Sequence, residues 1–487
     1  MPYATVNPFN NQLIQSFPEL TDDEINAVLD RAHAAYNTWS RTPVLERCAI
    51  FAQAAKLAEE RFDDLCRLTT LEMGKLYSQS VVETESIIYI LKYFAEHGED
   101  IMKPAPIFNE GDELLMMHQP QGIIISVEPW NFPLYQAIRG FAPNAIAGNV
   151  IILKHASIVP QCAAALVELL RDAGLPEGVW QNVYANHAQV DRLITDPRVR
   201  GVTLTGSVDV GRHIAATAGK SLRKTVLELG GTDAFIVLPD ADLDATVDCA
   251  VAGRFFISGQ VCIAPKRMIV LDEVYDQFVE RFTQGASNLH PGDPFDPATT
   301  IGPLSSQAQA DTVKAQIAQA IAGGASAIEI GDPVPDTGAF VQPTILTNVT
   351  KNNPIFYEEI FGPVAMIFRV KDEDEAIDLA NDTYYGLGGS VHSRDIAHAV
   401  ELAKRIDTGM VAINASYPSA REGKIDNYAM PFGGVKDSGY GREMGYEGVY
   451  EFCNHKVISL PVGVHATYGA TNDETVITTD HRGNDEF

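Results

Sequence analysis

The 487-residue chain has no stretch of about 18 uninterrupted apolar residues, so no membrane-spanning helix is expected. Cysteine is scarce. The six residues Cys48, Cys66, Cys162, Cys249, Cys262 and Cys453 form no C-x-x-C pair and no zinc-ligand spacing. That excludes a disulfide scaffold and favours a reducing compartment. Positive charge is also scarce: 36 Lys and Arg stand against 64 Asp and Glu, a formal net charge of −28. Such a charge repels phosphate backbones and anionic lipids, which argues against nucleic acid or a membrane surface as partner. The N-terminal MPYATVNPFN lacks the basic and apolar regions of an export signal, so a cytoplasmic location is expected. The twelve histidines form no HExxH motif or visible cluster, and no metal is assigned. Two glycine-rich segments fail as phosphate loops. GKS at 219–221 has Ile214 where the motif needs glycine, and GYGREMG at 439–445 has three residues between Gly441 and Gly445. Both are read as turns.

What is present fits a multi-domain globular protein, with 46% hydrophobic and 21% charged residues. The first hundred residues read as helices: Asp22 to Ser40 follows the N-cap residue Thr21, and Arg47 to Thr70 continues in the same style. Pro104 to Gly111 reads as a break. From Gln121 short β-branched runs alternate with helical ones. Strands are expected at 122–129, 149–156, 201–206 and 225–231, with a helix from Gln161 to Ala173 ending at Gly174. A second set follows at 267–273, 325–331 and 365–370. This alternation predicts parallel sheets in two α/β domains with a boundary near 230–240. The polar, acidic stretch from His465 reads as a mobile or loosely docked tail.

Two residues are candidates for chemistry. Cys262 lies in the loop SGQVC; it is either a small buried hydrophobe or a nucleophile. Glu228 lies among Leu227, Leu229 and two glycines, where an unpaired carboxylate would be costly to bury.

With these residues in place, the chain resembles the NAD(P)-dependent aldehyde dehydrogenase superfamily over roughly residues 5–460. The matching motifs, in the family's order, are EPWNFP at 128–133, ILKHA at 152–156, TGS with Gly211 at 205–211, LELGGTDAFIV at 227–237, GQVC at 259–262, EEIFGPV at 358–364 and PFGGVKDSGYGRE at 431–443. The KHA sequence, the WNFPLYQAIRG stretch and the late FCN look most like bacterial succinate-semialdehyde dehydrogenases. The resemblance implies that Cys262 is the nucleophile, that Asn131 and the Cys262 N–H hold the oxyanion, and that Glu228 activates water to release a free acid. Coenzyme-A-acylating relatives usually lack that glutamate. It further implies a NADP or NAD site made by Trp130, Lys154, Gly206, Ser207, Glu359 and Phe361, with the helix start near Ser207 meeting the pyrophosphate. NAD-preferring relatives often have Glu at the position held here by Ser157, so NADP should be accepted.

For the substrate, Arg139 matches the first of two arginines that bind a distal carboxylate, whereas Phe256 replaces the second. Arg254 is the nearest other arginine, and Arg421 or Lys424 in the long 414–434 loop is a candidate replacement. No second cysteine adjoins Cys262, which argues against a local disulfide switch. The implied architecture is an aldehyde dehydrogenase-like α/β fold: a Rossmann-type cofactor domain (1–104 and 122–230), an α/β catalytic domain (231–445), a small β bridging element (105–121 and 446–462) and a polar tail (465–487). The bridging element implies a homodimer or homotetramer. The favoured activity is oxidation of a short ω-carboxy aldehyde, best matched by succinate semialdehyde. An uncharged aliphatic or aromatic aldehyde is the alternative that Phe256 supports. A non-catalytic structural or binding protein of this fold is the alternative of another class.

Overall fold

The computed structural model describes residues 3–103, 105–109, 112–416, 429–461, 464–468 and 475–479. The first long helix, Asp22–Trp39, starts where the sequence places it. The Thr21 hydroxyl accepts from the Glu24 N–H, and the Glu24 carboxylate accepts from the Thr21 N–H. Its Ile25, Val28, Leu29, Ala32, Ala35 and Trp39 recur at helical spacing and are all buried. The helical stretch expected from Arg47 to Thr70 is two helices, Val44–Glu60 and Phe62–Met73, broken at Arg61. No glycine or proline marks the break, so composition leaves no trace of it.

One sheet carries five parallel strands in the order Lys224–Glu228, Val199–Thr205, Ile123–Glu128, Val150–His155 and Trp180–Asn182. The short strand Gly439–Tyr440 pairs antiparallel with Lys224–Glu228 and closes that edge. Every residue of Ile123–Glu128 is buried, as expected of a parallel strand covered on both faces. The chain leaves this sheet at Glu228 and enters a seven-stranded one at Ala234. That second sheet runs Ser326–Glu329, Thr344–Thr347, Val364–Val370, Arg267–Leu271, Ala234–Val237, Gly389–His392 and Ala412–Ile413. In it, only the exposed edge strand Ser326–Glu329 is antiparallel to its neighbour among the described residues.

The segment read as a break, 104–111, contains the strand Ala105–Asn109. It pairs with Asp112–Pro120, which pairs in turn with Cys453–Ser459, a three-stranded antiparallel sheet. Pro106 is tolerated because its strand is at the edge. The stretch read as a tail includes a strand pair, Val464–Tyr468 with Thr475–Thr479.

The carboxyl ends of the first sheet's parallel strands bring together residues far apart in sequence. Thr205 stands beside Glu228 and Val127 beside Lys154 in register, and Asn131 closely follows the Ile123–Glu128 strand. A crevice at this end is the usual ligand position in such sheets. The turn carrying Asn131 is anchored from below by a sealed ion pair. Lys75 Nζ lies 2.5 Å from Glu83 Oε2 with neither side chain exposed. Glu83 Oε1 accepts from the amides of Leu134 (2.7 Å) and Tyr135 (2.9 Å), at the start of the helix Pro133–Ala147. Removing one partner of such a pair strands a buried charge, which costs about 3–5 kcal/mol. Lys75→Met and Glu83→Leu should each lower the guanidinium midpoint accordingly, and the double variant should recover part of the loss. Singles that unfold at the wild-type midpoint would show that the pair does not hold this turn.

Candidate active site

Cys262 follows a strained turn between the helix Leu243–Phe255 and the strand Arg267–Leu271. Ile257, Ser258 and Gly259 have φ of +50°, +52° and +76°. For a β-branched residue such as Ile257 this is unfavourable by about 1–3 kcal/mol. Glycine is required at 259, because a Cβ there would overlap the Gly362 carbonyl oxygen. The turn is pinned by several bonds. Ser258 Oγ donates to Gly302 O (2.7 Å), the Ser305 N–H to Gln260 Oε1 (2.9 Å) and Gln260 Nε2 to Ile257 O (3.1 Å). Arg254 is fully buried; it donates to the carbonyls of Val364 (2.7 Å), Ile360 (3.4 Å) and Gly362. Arg254 therefore ties the Cys262 loop to the segment bearing Glu359 and Phe361, and it is no carboxylate receptor.

The Cys262 side chain is half-buried beside Leu387, Met410, Phe432 and Met430. Burial pushes its thiol up to about 12; Lys266 and Arg139 pull it down, while Glu359 and Asp233 push it further up. Asn131 crosses to the same loop, its Nδ2 donating to Gln260 O at 3.1 Å. An amide nitrogen has two N–H groups, so one donor remains. Phe256 faces Phe132, with ring centroids 6.4 Å apart, and forms an apolar wall.

Glu228 is buried against Gly433, and neither carboxyl oxygen has a hydrogen-bond partner among the described residues. Burial and the Glu443 carboxylate hold its pKa well above the usual carboxylate range, against the pull of Arg139 and Arg442. A second glutamate, Glu128, is raised in the same way by burial and by Glu443, and it accepts from Ser126 Oγ at 2.6 Å.

Arg139 is buried and paired within the chain. Its Nε lies 2.5 Å from Glu443 Oε2, its guanidinium donates to Thr205 Oγ1 at 3.2 Å, and it packs over the rings of Phe432 (4.4 Å) and Tyr135 (5.4 Å). Both charged side chains are buried, and Thr203 Oγ1 donates to Glu443 Oε1 at 2.6 Å. The guanidinium is thus committed to a carboxylate of the chain itself. Sequence reasoning missed Glu443 because it lies in GYGREMG, which reads as a plain turn. Arg421 and Lys424 lie outside the described residues.

The residues of the expected cofactor site have defined neighbours. Trp130 meets Phe361 edge-on at 5.6 Å. Glu359 Oε1 accepts from the Gly231 N–H (3.2 Å) and lies 3.0 Å from Lys266 Nζ; a Cβ at Gly230 would overlap its other oxygen. The Gly206 N–H donates to Glu228 O at 2.9 Å. Ser207, exposed, starts the helix Val208–Lys220 without a side-chain cap. Lys154 is only partly exposed and has no ion-pair partner among the described residues; its amine sits 5.8 Å from the Tyr3 ring, and burial lowers its pKa. Ser157 is half-buried, and its carbonyl accepts from the Ala4 N–H. Lys266, which sequence reasoning also missed, could have been found as a lysine entering the apolar strand Arg267–Leu271, where burial is the rule. Among the described residues no group of three or more His, Cys, Asp or Glu side chains is placed to hold a metal, and no helix is long and apolar enough to cross a membrane.

Residues 1–458 match the aldehyde dehydrogenase family. The chain is 47% identical to a succinate-semialdehyde dehydrogenase [NADP(+)] of Deinococcus radiodurans, over 94% of each chain. It is 41% identical to succinate-semialdehyde dehydrogenase [NADP(+)] 1 of Mycobacterium tuberculosis, over 94% of this chain and 99% of that one. A crystal structure of succinic semialdehyde dehydrogenase from Streptococcus pyogenes in complex with NADP+ superposes with a TM-score of 0.91 at 42% identity, covering 94% of this chain and all of the other. By its fold, its motifs and these relatives, the chain belongs to the aldehyde dehydrogenase family.

Proposed function

We propose that this enzyme oxidises succinate semialdehyde to succinate with NADP as preferred hydride acceptor. The observation that supports the chemistry is that Asn131 bonds the loop bearing Cys262, while the buried, unpartnered carboxyl of Glu228 lies against Gly433, next in sequence to the Phe432 that packs with Cys262. The substrate is the one named for the relatives at 41–47% identity.

In this reading the Cys262 thiolate adds to the aldehyde carbon, forming a C–S bond and an oxyanion. The free Nδ2–H of Asn131 and the Cys262 N–H stabilise that oxyanion. When bound, the nicotinamide supplies the acceptor for the hydride that leaves the carbon as its carbonyl re-forms, giving a Cys262 thioester. Glu228 then takes a proton from water as the water attacks, the C–S bond breaks, and the acid leaves with the thiolate restored. The unpartnered carboxyl of Glu228 suits this task, since nothing in the described protein competes for its oxygens.

The residues fit a phosphorylated dinucleotide. Lys154 is an amine without a counter-charge among the described residues, and Ser157 leaves no carboxylate beside it to repel a 2′-phosphate. The uncapped helix start at Ser207 would take the pyrophosphate, and Glu359 and Phe361 the nicotinamide half. We assign 1–104 and 122–230 to cofactor binding, 231–445 to catalysis, and 105–121 with 446–462 to contact between subunits of a cytoplasmic homodimer or homotetramer. A second reading, an uncharged aldehyde, is favoured by the Phe132–Phe256 wall and by the engagement of Arg139 with Glu443.

With NADP, the purified enzyme should turn over succinate semialdehyde with a kcat/KM at least about tenfold above butyraldehyde, which has the same carbon count and no charge. A preference for butyraldehyde would establish the second reading. Cys262→Ala should abolish turnover while NADP still binds, as read by fluorescence quenching. Glu228→Gln should leave a pre-steady-state burst of reduced cofactor followed by turnover slower by about 10²–10⁴-fold. If burst and steady state both keep their wild-type rates, another group activates the water. Ser157→Glu should shift the kcat/KM ratio from NADP towards NAD; an unchanged ratio would place Ser157 away from the adenosine ribose.

A further inference from the structure

Beneath Cys262 lies a cation that the catalytic scheme leaves unused. Lys266 Nζ is within reach of three acceptors: Cys262 O at 2.7 Å, Val261 O at 2.8 Å and Glu359 Oε1 at 3.0 Å. The side chain is 1% exposed. An ammonium has three donors, so this one is saturated, and two of its bonds go to the peptide groups that carry the nucleophile. We propose that Lys266 is a positioning residue that sets the reactivity of Cys262 and couples it to Glu359 at the cofactor cleft. The proposal rests on Cys262 being the nucleophile.

Three features of the geometry support it. The carbonyls of Val261 and Cys262 are both turned towards one ammonium, which fixes the two peptide planes and hence the direction of the sulfur and of the Cys262 N–H. The charge is buried, where its field is little screened, and it is close enough to favour the thiolate over the thiol. The partner that neutralises it, Glu359, also receives the Gly231 N–H, two residues beyond which lies Asp233. The charge that reaches the sulfur therefore depends on how Glu359 is engaged. The titratable and charged groups facing the Cys262 thiol are Lys266, Arg139, Glu359, Asp233 and Tyr135. Burial opposes ionisation; the two cations favour it, and the acidic side chains oppose it. Among the two cations, Arg139 is committed to Glu443, while Lys266 is bonded to the Cys262 peptide itself.

This arrangement gives paired predictions of opposite sign. Removing the Lys266 charge leaves Glu359 facing the sulfur and should slow ionisation. Removing the Glu359 charge leaves Lys266 unneutralised and should speed it. A purely structural role predicts that both changes act in the same direction, through loosening of the loop.

The test follows alkylation of Cys262 by iodoacetamide, without cofactor or aldehyde, between pH 7 and pH 10. Cys48, Cys66, Cys162 and Cys453 are buried, so a Cys249→Ser background isolates the Cys262 adduct, which is identified on its peptide by mass spectrometry. At a pH below the thiol pKa, raising that pKa by about one lowers the thiolate fraction about tenfold. Lys266→Met should slow alkylation by about tenfold or more at every pH, Lys266→Arg should restore part of the rate, and Glu359→Gln should raise it by several-fold. The double variant Lys266→Met/Glu359→Gln should return towards wild type. Should Lys266→Met fail to fold, the acceleration in Glu359→Gln still decides the matter. Coincident profiles for wild type and Lys266→Met, or slower alkylation in Glu359→Gln, would overturn the proposal. Wild-type aldehyde turnover by Cys262→Ala would instead overturn the nucleophile assignment, a separate result from the same proteins.

Discussion

The left-handed run at Ile257, Ser258 and Gly259 turns the chain out of the helix Leu243–Phe255 and sets the course of the loop that carries Cys262. Such a turn is unfavourable for an isoleucine and persists only where its surroundings over-determine it. Here they do. Gly362 approaches too closely for any side chain at 259, Ser258 and Gln260 are bonded to the segment around Gly302 and Ser305, and Arg254 gathers three carbonyls of the 360–364 segment beneath the loop. The Cys262 loop and the segment bearing Glu359 and Phe361 therefore belong to one braced unit. Asn131 completes it from the other sheet by bonding Gln260 O.

Buried charges do much of this bracing, and each has a defined partner. Lys75 and Glu83 hold the helix start behind Asn131; Arg139 and Glu443 fill the space under Phe432; Lys266 joins the Cys262 peptide to Glu359. A buried pair adds little net stability relative to apolar residues of the same shape. Its geometry, however, is stringent, because either partner alone is strongly penalised. That suits a site whose proposed nucleophile, oxyanion donor and water-activating base come from distant parts of the chain. Two of the groups outside this pairing bear on the proposed function. Among the described residues Glu228 has both oxygens unpaired, and Lys154 has no counter-charge. These are the groups proposed to take a water proton and to meet an anionic cofactor.

At position 139 the resemblance implies a carboxylate receptor, and the structure adds an internal partner. Glu443 neutralises the guanidinium and two aromatic rings enclose it. A substrate carboxylate would have to displace a desolvated partner, which disfavours exchange.

Much was legible in the sequence because it is written locally. Thr21 with Glu24 marks a helix start, the unbroken apolar runs at 123–125 and 150–153 mark strands buried on both faces, and the short motifs around Asn131, Lys154, Glu228 and Cys262 identify the family. The break at Arg61 and the strand Ala105–Asn109 were not legible, since the first has no helix-breaking residue and the second carries Pro106, which only an edge position permits. The partners of the buried charges were decided by tertiary structure alone. Glu443 reaches Arg139 because Gly439–Tyr440 pairs with Lys224–Glu228, and Glu359 reaches Lys266 because Val364–Val370 lies beside Arg267–Leu271. The sequence determined which residues carry charge and chemistry; the crossing order of the strands decided which charges meet, because pairing between distant segments leaves no local periodicity to read.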